Sequence, residues 1–266
     1  MTAGRRVRSL PRRTFRGLTG ALVLFIALEA LTRAELVSPT YLPPASLVLA
    51  TTARILVDLE FLTAVGGTLA VWGLGLGVAC AVAIPLGLLL GSSWRGYLAS
   101  TTAIELLRPI PSVALIPLAI LLLGRGLDMR VTLVAYASLW PILLNTIYGV
   151  RDVDPVARDT ARAFALGPLA TLRRVSLPSA APFIYTGIRI AAAIALIVAI
   201  SAELVAGGST AGIGTWMLAR SQPGIGLELV YAGVVVAGLL GLGLDSVLVT
   251  GERRLFGWHQ RLRSQP

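Results

Sequence analysis

Long apolar stretches, separated by short polar segments, make up most of the chain. The apolar stretches lie at residues 18–31, 62–90, 98–123, 131–150, 183–205 and 227–250. A helix needs about 20 largely apolar residues to cross roughly 30 Å of hydrocarbon. The stretches are continuous rather than alternating, which favours a helical bundle over a membrane barrel. The sequence therefore predicts an all-α, polytopic membrane protein with six transmembrane helices.

Prolines mark the places where this helical pattern is interrupted. Three prolines fall between residues 39 and 44, and residues 45–59 then alternate apolar with polar residues at helical spacing, which is typical of a helix on the membrane surface. Pro109, Pro111 and Pro117 interrupt the third stretch and predict a kinked or broken helix. Irregular backbone is tolerated at membrane depth only beside protein or a water-filled path. We therefore expect the third stretch to line such a path.

Composition and charge agree with a membrane location. The chain has 266 residues, of which 56% are hydrophobic and 14% charged, and its mean hydropathy is +0.81. All 23 basic residues are arginines, and they lie mainly in the polar segments between the apolar stretches, where basic residues act as topology signals. A nucleic-acid-binding protein would gather them on one folded face.

The arginines also predict the orientation. They are concentrated near both termini and at 151–178, which places these segments on the cytoplasmic side. The expected organisation is a cytoplasmic tail at 1–17, a six-span domain at 18–250 with a cytoplasmic loop at 151–181, and a cytoplasmic tail at 251–266. The sequence Arg12-Arg13-Thr14-Phe15 resembles a twin-arginine export signal, but no small-residue cleavage site follows Leu31, which favours an uncleaved first span.

The loop at 151–181 carries the most informative motif. Its spacing resembles the signature of binding-protein-dependent ABC importer permeases: an acidic residue and two alanines, three residues, a glycine, nine residues, an apolar residue, one more, and Leu-Pro. Asp159 replaces the usual glutamate, Thr160 the first alanine and Ala165 the glycine. Alanine is compatible with a helix that needs no positive φ at that point. The resemblance implies a coupling helix that contacts an ATPase subunit through Asp159, Thr160, Ala161, Ala165, Gly167, Leu177 and Pro178.

The resemblance extends over nearly all of 62–258. Residues 107–118 resemble the third-span signature of the nitrate, sulfonate and taurine branch, and the same branch is matched at 140–146, 202–203, 211–214 and 252–254. It implies a type I ABC importer permease bundle in the bacterial inner (plasma) membrane, forming the translocation path for a small anion or zwitterion. The implied partners are a second permease copy in a homodimer, two ATP-binding subunits that carry ATP and Mg, and an extracytoplasmic solute-binding protein.

Several polar or proline positions within the spans are candidates for the translocation path or a gate. They are Arg108, Pro109, Ser112, Asn145 and Glu203. Arg108 either holds an anionic substrate or an inner gate, or it snorkels to the cytoplasmic surface or pairs with Glu105. Glu203 either caps or gates the outer end of the path or is an interfacial residue. For Asn145 an interhelical hydrogen bond is favoured over substrate contact.

Catalytic chemistry finds little support in the sequence. The chain contains no lysine, so it lacks the lysine of a phosphate-binding loop, and ATP hydrolysis must come from separate subunits. The one histidine, His259, lies in the polar tail, which excludes an intramembrane Ser-His pair and, with the lone Cys80, a metal site. We expect no enzyme and no cofactor in this chain. The alternative is an ion-gradient-driven secondary transporter or channel, although the carboxylates form no relay pattern.

Overall fold

The computed structural model describes residues 10–34, 36–37, 41–208, 210–221 and 226–263, and this part of the chain contains helices and no strands, which confirms the predicted all-α class. A 3₁₀ turn lies at Ser112–Leu115 and a π turn at Leu172–Ser176. The helices are α1 (Leu10–Arg33), α2 (Ala45–Ile55), α3 (Leu59–Ser92), α4 (Trp94–Leu107), α5 (Ile116–Leu123), α6 (Leu127–Arg151), α7 (Pro155–Ala163), α8 (Pro168–Thr171), α9 (Leu177–Ala206), α10 (Ile213–Arg220) and α11 (Leu227–Arg263).

The membrane-length helices agree with most of the predicted spans. Among the described residues, four segments are long and apolar enough to cross a membrane, namely Leu59–Ser92, Leu127–Arg151, Pro168–Ala206 and Leu227–Phe256. A fifth span forms if Trp94–Leu107 and Ser112–Leu123, which meet at 71°, are one broken span. The first predicted span falls in α1, where several side chains lie outside the described part, so the count of six stays a prediction.

The predicted tails and loop contain more helix than expected. Helix α1 begins at Leu10, inside the predicted tail 1–17, and α11 continues to Arg263, through most of the predicted tail 251–266. Residues 1–9 and 264–266 lie outside the described part. Because adding a residue to an existing helix is easier than starting one, α11 extends beyond its apolar stretch, with a kink at Phe256 (φ −121°). The predicted loop 151–181 holds α7, α8 and the start of α9.

Helices α3 and α6 run parallel and pack at glycine positions. A Cβ added to Gly75 would lie 2.6 Å from the Cβ of Val134, and one added to Gly91 would lie 2.9 Å from the Cβ of Val150. Lipid tails are as apolar as leucine, so membrane helices associate through close packing, which small residues permit. The absent side chains therefore allow α3 to approach α6.

Helix α9 lies antiparallel to both of them and completes the core. A Cβ added to Gly187 of α9 would lie 2.9 Å from the Cβ of Asn145 in α6. The indole Nε1 of Trp72 in α3 donates a 2.9 Å hydrogen bond to the carbonyl of Ala192 in α9. By contrast, α1 lies outside this core, and among the described residues its main contact is with α2.

The bundle has two chemically different ends. The basic end consists of residues 92–97, 151–181 and 251–254, and includes the C-terminus of α6 and the N-terminus of α9. The opposite end consists of 58–68, 124–130 and 203–221, and contains the short helix α10. Around α10, the apolar side chains of Phe61, Ile213 and Trp216 are buried, and the rings of Phe61 and Trp216 meet edge to face at 4.7 Å.

Close packing of α3 against α6 predicts that the stability of the fold depends strongly on Gly87. A Cβ at this position would lie 2.6 Å from the Cβ of Thr146, which is held by its backbone, so Gly87→Ala should lower the free energy of unfolding by about 1–3 kcal/mol. The matched control is Gly77→Ala on the same helix, where an added Cβ meets nothing within 4 Å. The midpoint of thermal unfolding in detergent should fall for Gly87→Ala alone. Equal midpoints would contradict the packing argument.

Candidate functional site

A cavity of about 400 Å³ lies between α4 and α6, beside the break in the third span. Pro111 has no N–H to donate to the carbonyl of Leu107, so the helix cannot continue normally there. The hydroxyl of Tyr136 donates a 2.8 Å hydrogen bond to this carbonyl and so holds the end of α4 against α6. The lining residues lie between Tyr97 and Pro109, on α4 and the turn that follows it, and between Leu144 and Tyr148 on α6.

Two of the five predicted path residues line this cavity. Arg108 and Pro109 do so, whereas Ser112 is half-buried at the start of the 3₁₀ turn. Asn145 lies against α9, and its side-chain N–H donates to the carbonyl of Pro141 at 2.8 Å. The predicted interhelical hydrogen bond of Asn145 is therefore wrong. The amide bonds within its own helix because Gly187 of α9 offers no side chain to reach.

Arg108 and Glu105 both border the cavity and are both exposed. Among the described residues, their side chains form no ion pair or hydrogen bond with each other or with another group. The alternative in which Glu105 neutralises Arg108 is thus not the arrangement that the structure has. A guanidinium and a carboxylate stand separately on one wall of the cavity.

Glu203 is fully buried at the opposite end of the bundle. Both of its carboxylate oxygens accept from the hydroxyl of Thr68 at 3.0 Å, and Oε2 also accepts from the N–H of Gly214 at 2.8 Å. The Thr68 hydroxyl oxygen in turn accepts from the N–H of Ile213 at 2.8 Å. Glu203 and Thr68 together satisfy the first N–H groups of α10, which have no partner inside the helix. The interfacial alternative for Glu203 does not fit this burial, and a gating role stays a prediction.

The close packing around Glu203 leaves no room for side chains at the neighbouring glycine positions. A Cβ added to Gly212 would lie 2.6 Å from the Glu203 Oε1, and one added to Gly214 would lie 2.6 Å from the Glu203 Cβ. Gly67 of α3 is equally constrained, because an added Cβ would lie 2.6 Å from the backbone carbonyl carbon of Ala211. The sequence Ala211-Gly212-Ile213-Gly214 therefore allows the backbone to approach the Glu203 carboxylate closely.

Sequence reasoning missed the role of Arg130. The sequence indicated only that this arginine lies outside the predicted cytoplasmic segments. In the structure it is fully buried. Its guanidinium donates to the carbonyls of Gly207 at 2.8 Å and Thr210 at 3.4 Å. These carbonyls follow the end of α9, where the backbone lacks helical partners. The position of Arg130 beside an apolar stretch was the available signal, because a charge at such a depth needs a partner.

The helix α7 of the predicted coupling loop has defined caps. The carboxylate of Asp154 accepts from the N–H of Val156 at 2.8 Å and caps its N-terminus. At its C-terminus, the N–H of Leu166 donates to the carbonyl of Ala161 at 3.0 Å and the N–H of Ala165 to that of Arg162 at 2.9 Å, which is a Schellman motif.

The conformation of Ala165 overturns one expectation. Its φ is +51°, and it is the one non-glycine residue with a positive φ in the described part of the chain. The expectation that this position needs no positive φ is therefore wrong, because the Schellman motif places its residue after the cap in the left-handed region. A non-glycine residue there costs about 1–2 kcal/mol. The family motif has glycine at this position, which adopts the conformation without that cost.

The remaining coupling residues divide between exposed and buried positions. Asp159 and Thr160 are exposed; the first pairs with Arg162 at 3.0 Å, and the hydroxyl of the second donates to the carbonyl of Val156. Gly167 is exposed at the start of α8, and Pro178 is exposed in the first turn of α9. Leu177 is half-buried and packs against a cluster of Val150, Ala180 and Ile184.

Ala161 lies on the inner side of α7, with only 3% of its surface exposed. The expectation that its small side chain faces a partner's groove is wrong, because Ala161 is buried against the chain itself. Large apolar side chains occupy the outer surface instead, at Val156 (69% exposed), Phe164 (77%) and Leu169 (69%). Sequence reasoning missed these three residues.

The contact of Thr68 with Glu203 and α10 gives a second prediction. Thr68→Val removes the hydroxyl that donates to the carboxylate and accepts from Ile213, and leaving buried polar groups unsatisfied costs about 1–3 kcal/mol. Thr63→Val on the same helix is the control, because that hydroxyl is exposed and its loss should change stability by about 0.5 kcal/mol or less. Thermal unfolding in detergent measures both. Similar unfolding midpoints for the two variants would contradict the role of Thr68.

The sequence is similar to known transport proteins. It is 31% identical to the taurine transport system permease protein of Escherichia coli over 85% of this chain and 82% of that protein. It is 28% identical to a putative aliphatic sulfonates transport permease protein of Bacillus subtilis over 91% and 87%. A nitrate import permease protein of Synechocystis is 30% identical over 64% and 61%. The substrates named for these relatives are taurine, aliphatic sulfonates and nitrate, which are those of the branch that the motifs indicated.

The fold is also similar to solved structures. A bacterial ABC transporter involved in the import of the acidic polysaccharide alginate matches 92% of this chain and 99% of its own, with a TM-score of 0.63 at 16% identity. The inward-facing MetNI methionine ABC transporter matches 72% of this chain and 94% of its own, with a TM-score of 0.63 at 18% identity. The family model for the inner membrane component of binding-protein-dependent transport systems matches residues 83–257. The chain therefore belongs to the family of binding-protein-dependent transport system inner membrane components, the permease subunits of ABC importers.

Proposed function

We propose that this permease carries a small sulfonate or related anion or zwitterion across the inner membrane, and that ATP-binding subunits drive it by docking on α7 and α8. The observation that carries the proposal is the outer surface of this coupling segment. Val156, Phe164 and Leu169 are more than two thirds exposed, on the arginine-rich segment 155–174. Exposed apolar patches with a polar rim are typical of protein interfaces.

The charge around this surface indicates the kind of partner. Arg162, Arg173 and Arg174 are exposed beside the apolar side chains, so a partner groove with acidic residues at its rim is complementary to it. Two ATP-binding subunits supply such grooves in this proposal and carry ATP and Mg themselves. A second copy of the permease, as a homodimer, and an extracytoplasmic solute-binding protein complete the importer.

Movement of the coupling segment has a direct route into the bundle. The guanidinium of Arg158 in α7 donates to the carbonyl of Val150 at the end of α6. Gly149 of α6 lies so close to α9 that an added Cβ would be 2.8 Å from the Cβ of Phe183. Closure of the ATP-binding subunits would therefore move α6 and α9 together, which fits alternating access by rigid-body motion.

An ion-gradient-driven transporter or channel is the competing proposal. It would use intramembrane carboxylates as a relay. In the described part of the chain, Glu29 binds Ser46 and Arg33, Glu203 binds Thr68 and α10, and Asp245 pairs with Arg189 at 2.8 Å. These carboxylates have separate structural partners, which favours the ATP-driven importer.

Docking on the coupling segment predicts that Phe164→Ser weakens binding of the ATP-binding subunit, because an exposed aromatic side chain contributes strongly once it is buried at an interface. We expect co-purification to fall by about tenfold or more, corresponding to at least about 1.4 kcal/mol, with substrate-stimulated ATPase and uptake falling in parallel. Tyr41→Ser is the control, since Tyr41 is 75% exposed and lies outside the basic end. Uptake that continues normally without the ATP-binding subunit would sink the proposal and favour the ion-driven alternative.

The orientation gives a separate prediction. With Cys80 replaced by serine, Ser221→Cys should react with a membrane-impermeant thiol reagent added outside intact cells, whereas Ser92→Cys should react only after permeabilisation. Both serines are exposed and lie at opposite ends of the bundle, and the arginine distribution places the end with Ser92 in the cytoplasm. The reverse labelling pattern would contradict cytoplasmic termini and the cytoplasmic position of α7.

A further inference from the structure

We infer that the cavity between α4 and α6 binds a small zwitterion, with Arg108 holding its anionic group and Glu105 its ammonium group. The inference rests on the proposed importer function and specifies which of its substrate classes the permease itself recognises. The carrying observation is that two opposite charges line one cavity of about 400 Å³ and that neither side chain has a partner among the described residues.

The separation of these two charges is unusual for their spacing. Residues three apart on a helix are neighbours, with Cβ atoms about 5–6 Å apart, and opposite charges at this spacing attract. Arg108 keeps helical backbone angles (φ −58°, ψ −40°), so it stands one turn above Glu105. Asp159 and Arg162 have the same spacing and order on α7, and they pair at 3.0 Å. Glu105 and Arg108 thus form no ion pair, although their spacing allows one.

Charge balance distinguishes a zwitterion from a simple anion. An anion bound at Arg108 would leave the Glu105 carboxylate without a counter-charge and would also be repelled by it. A ligand with an ammonium group a few bonds from its anionic group satisfies both side chains. The guanidinium can bind a sulfonate or carboxylate through two parallel hydrogen bonds, while the ammonium donates to Glu105.

The other cavity residues suit such a ligand. The hydroxyl of Thr101 donates to the carbonyl of Tyr97 at 2.8 Å, and its oxygen can accept from a ligand ammonium group. The ring of Tyr148 is 53% exposed beside the cavity, where its face can also attract an ammonium group. The ring of Tyr97 is occupied, because the guanidinium of Arg151 lies 4.1 Å from its centroid. A cavity of this size is also within the usual range for small-molecule sites, about 300–1,000 Å³.

The test compares taurine with ethanesulfonate, which has the same sulfonate and carbon skeleton without the ammonium group. Binding of each is measured to the permease co-purified with its ATP-binding subunits in lipid nanodiscs, without nucleotide. The wild type should bind taurine more tightly. Glu105→Gln should weaken taurine binding by about tenfold or more without weakening ethanesulfonate binding, because charge-assisted hydrogen bonds are the stronger ones. Arg108→Gln should weaken both, and Arg108→Lys less so, because lysine keeps the charge without the planar fork.

The matched control is Glu228→Gln, which removes the same charge from the start of α11, at the other end of the molecule, and should leave both affinities unchanged. A taurine preference that survives Glu105→Gln overturns the inference. So does the absence of binding of both probes to the wild type, as expected if a second permease copy fills the cavity. Either outcome leaves the proposed function intact where the same proteins co-purify normally with the ATP-binding subunits and show normal ATP-dependent uptake in cells.

Discussion

Close approach of the α3, α6 and α9 backbones at glycine positions is the interaction on which the remaining structure depends. It sets Trp72 within 2.9 Å of the carbonyl of Ala192 and places Thr68 against Glu203. Lipid cannot supply hydrogen bonds, so polar groups in these helices need partners within the protein, and close packing brings those partners within reach. Side chains at Gly75, Gly87 or Gly187 would separate the helices and these partners together.

Two buried charges at the opposite end take the place of water. After α9 ends, the carbonyls of Gly207 and Thr210 receive N–H groups from Arg130, while Glu203 accepts the N–H of Gly214 at the start of α10. The carbonyls of Gly207 and Thr210 therefore have partners although they lie beside membrane-length helices. Since each charge is held by several hydrogen bonds, removing one partner would leave a buried ion, which is far more destabilising than removing a surface pair.

Features that depend on local chemistry were predictable from the sequence. The apolar stretches gave the membrane-length helices, and Pro109 and Pro111 gave the break after Leu107. Features that depend on tertiary packing were not. The side of α7 that faces the chain depends on its contact with the turn at 172–176, so the motif alone could not predict that Ala161 is buried. Arg130 looked like a topology signal because its two carbonyl partners lie 80 and 77 residues away in sequence.

The coupling segment and the cavity are connected through the C-terminal end of α6. Arg158 of α7 bonds to the carbonyl of Val150, and the next residue, Arg151, stacks over the rings of Trp94 at 4.9 Å and Tyr97 at 4.1 Å. Tyr97 is itself part of the cavity wall, on the same helix as Glu105. Because α4 ends at a proline break, it can tilt without breaking hydrogen bonds in the 3₁₀ turn that follows. A displacement of α7 thus has continuous contacts to the wall that carries both charged side chains, and a tilt of α4 would move these two side chains together relative to α6, while the glycine-packed core of α3, α6 and α9 moves as one body.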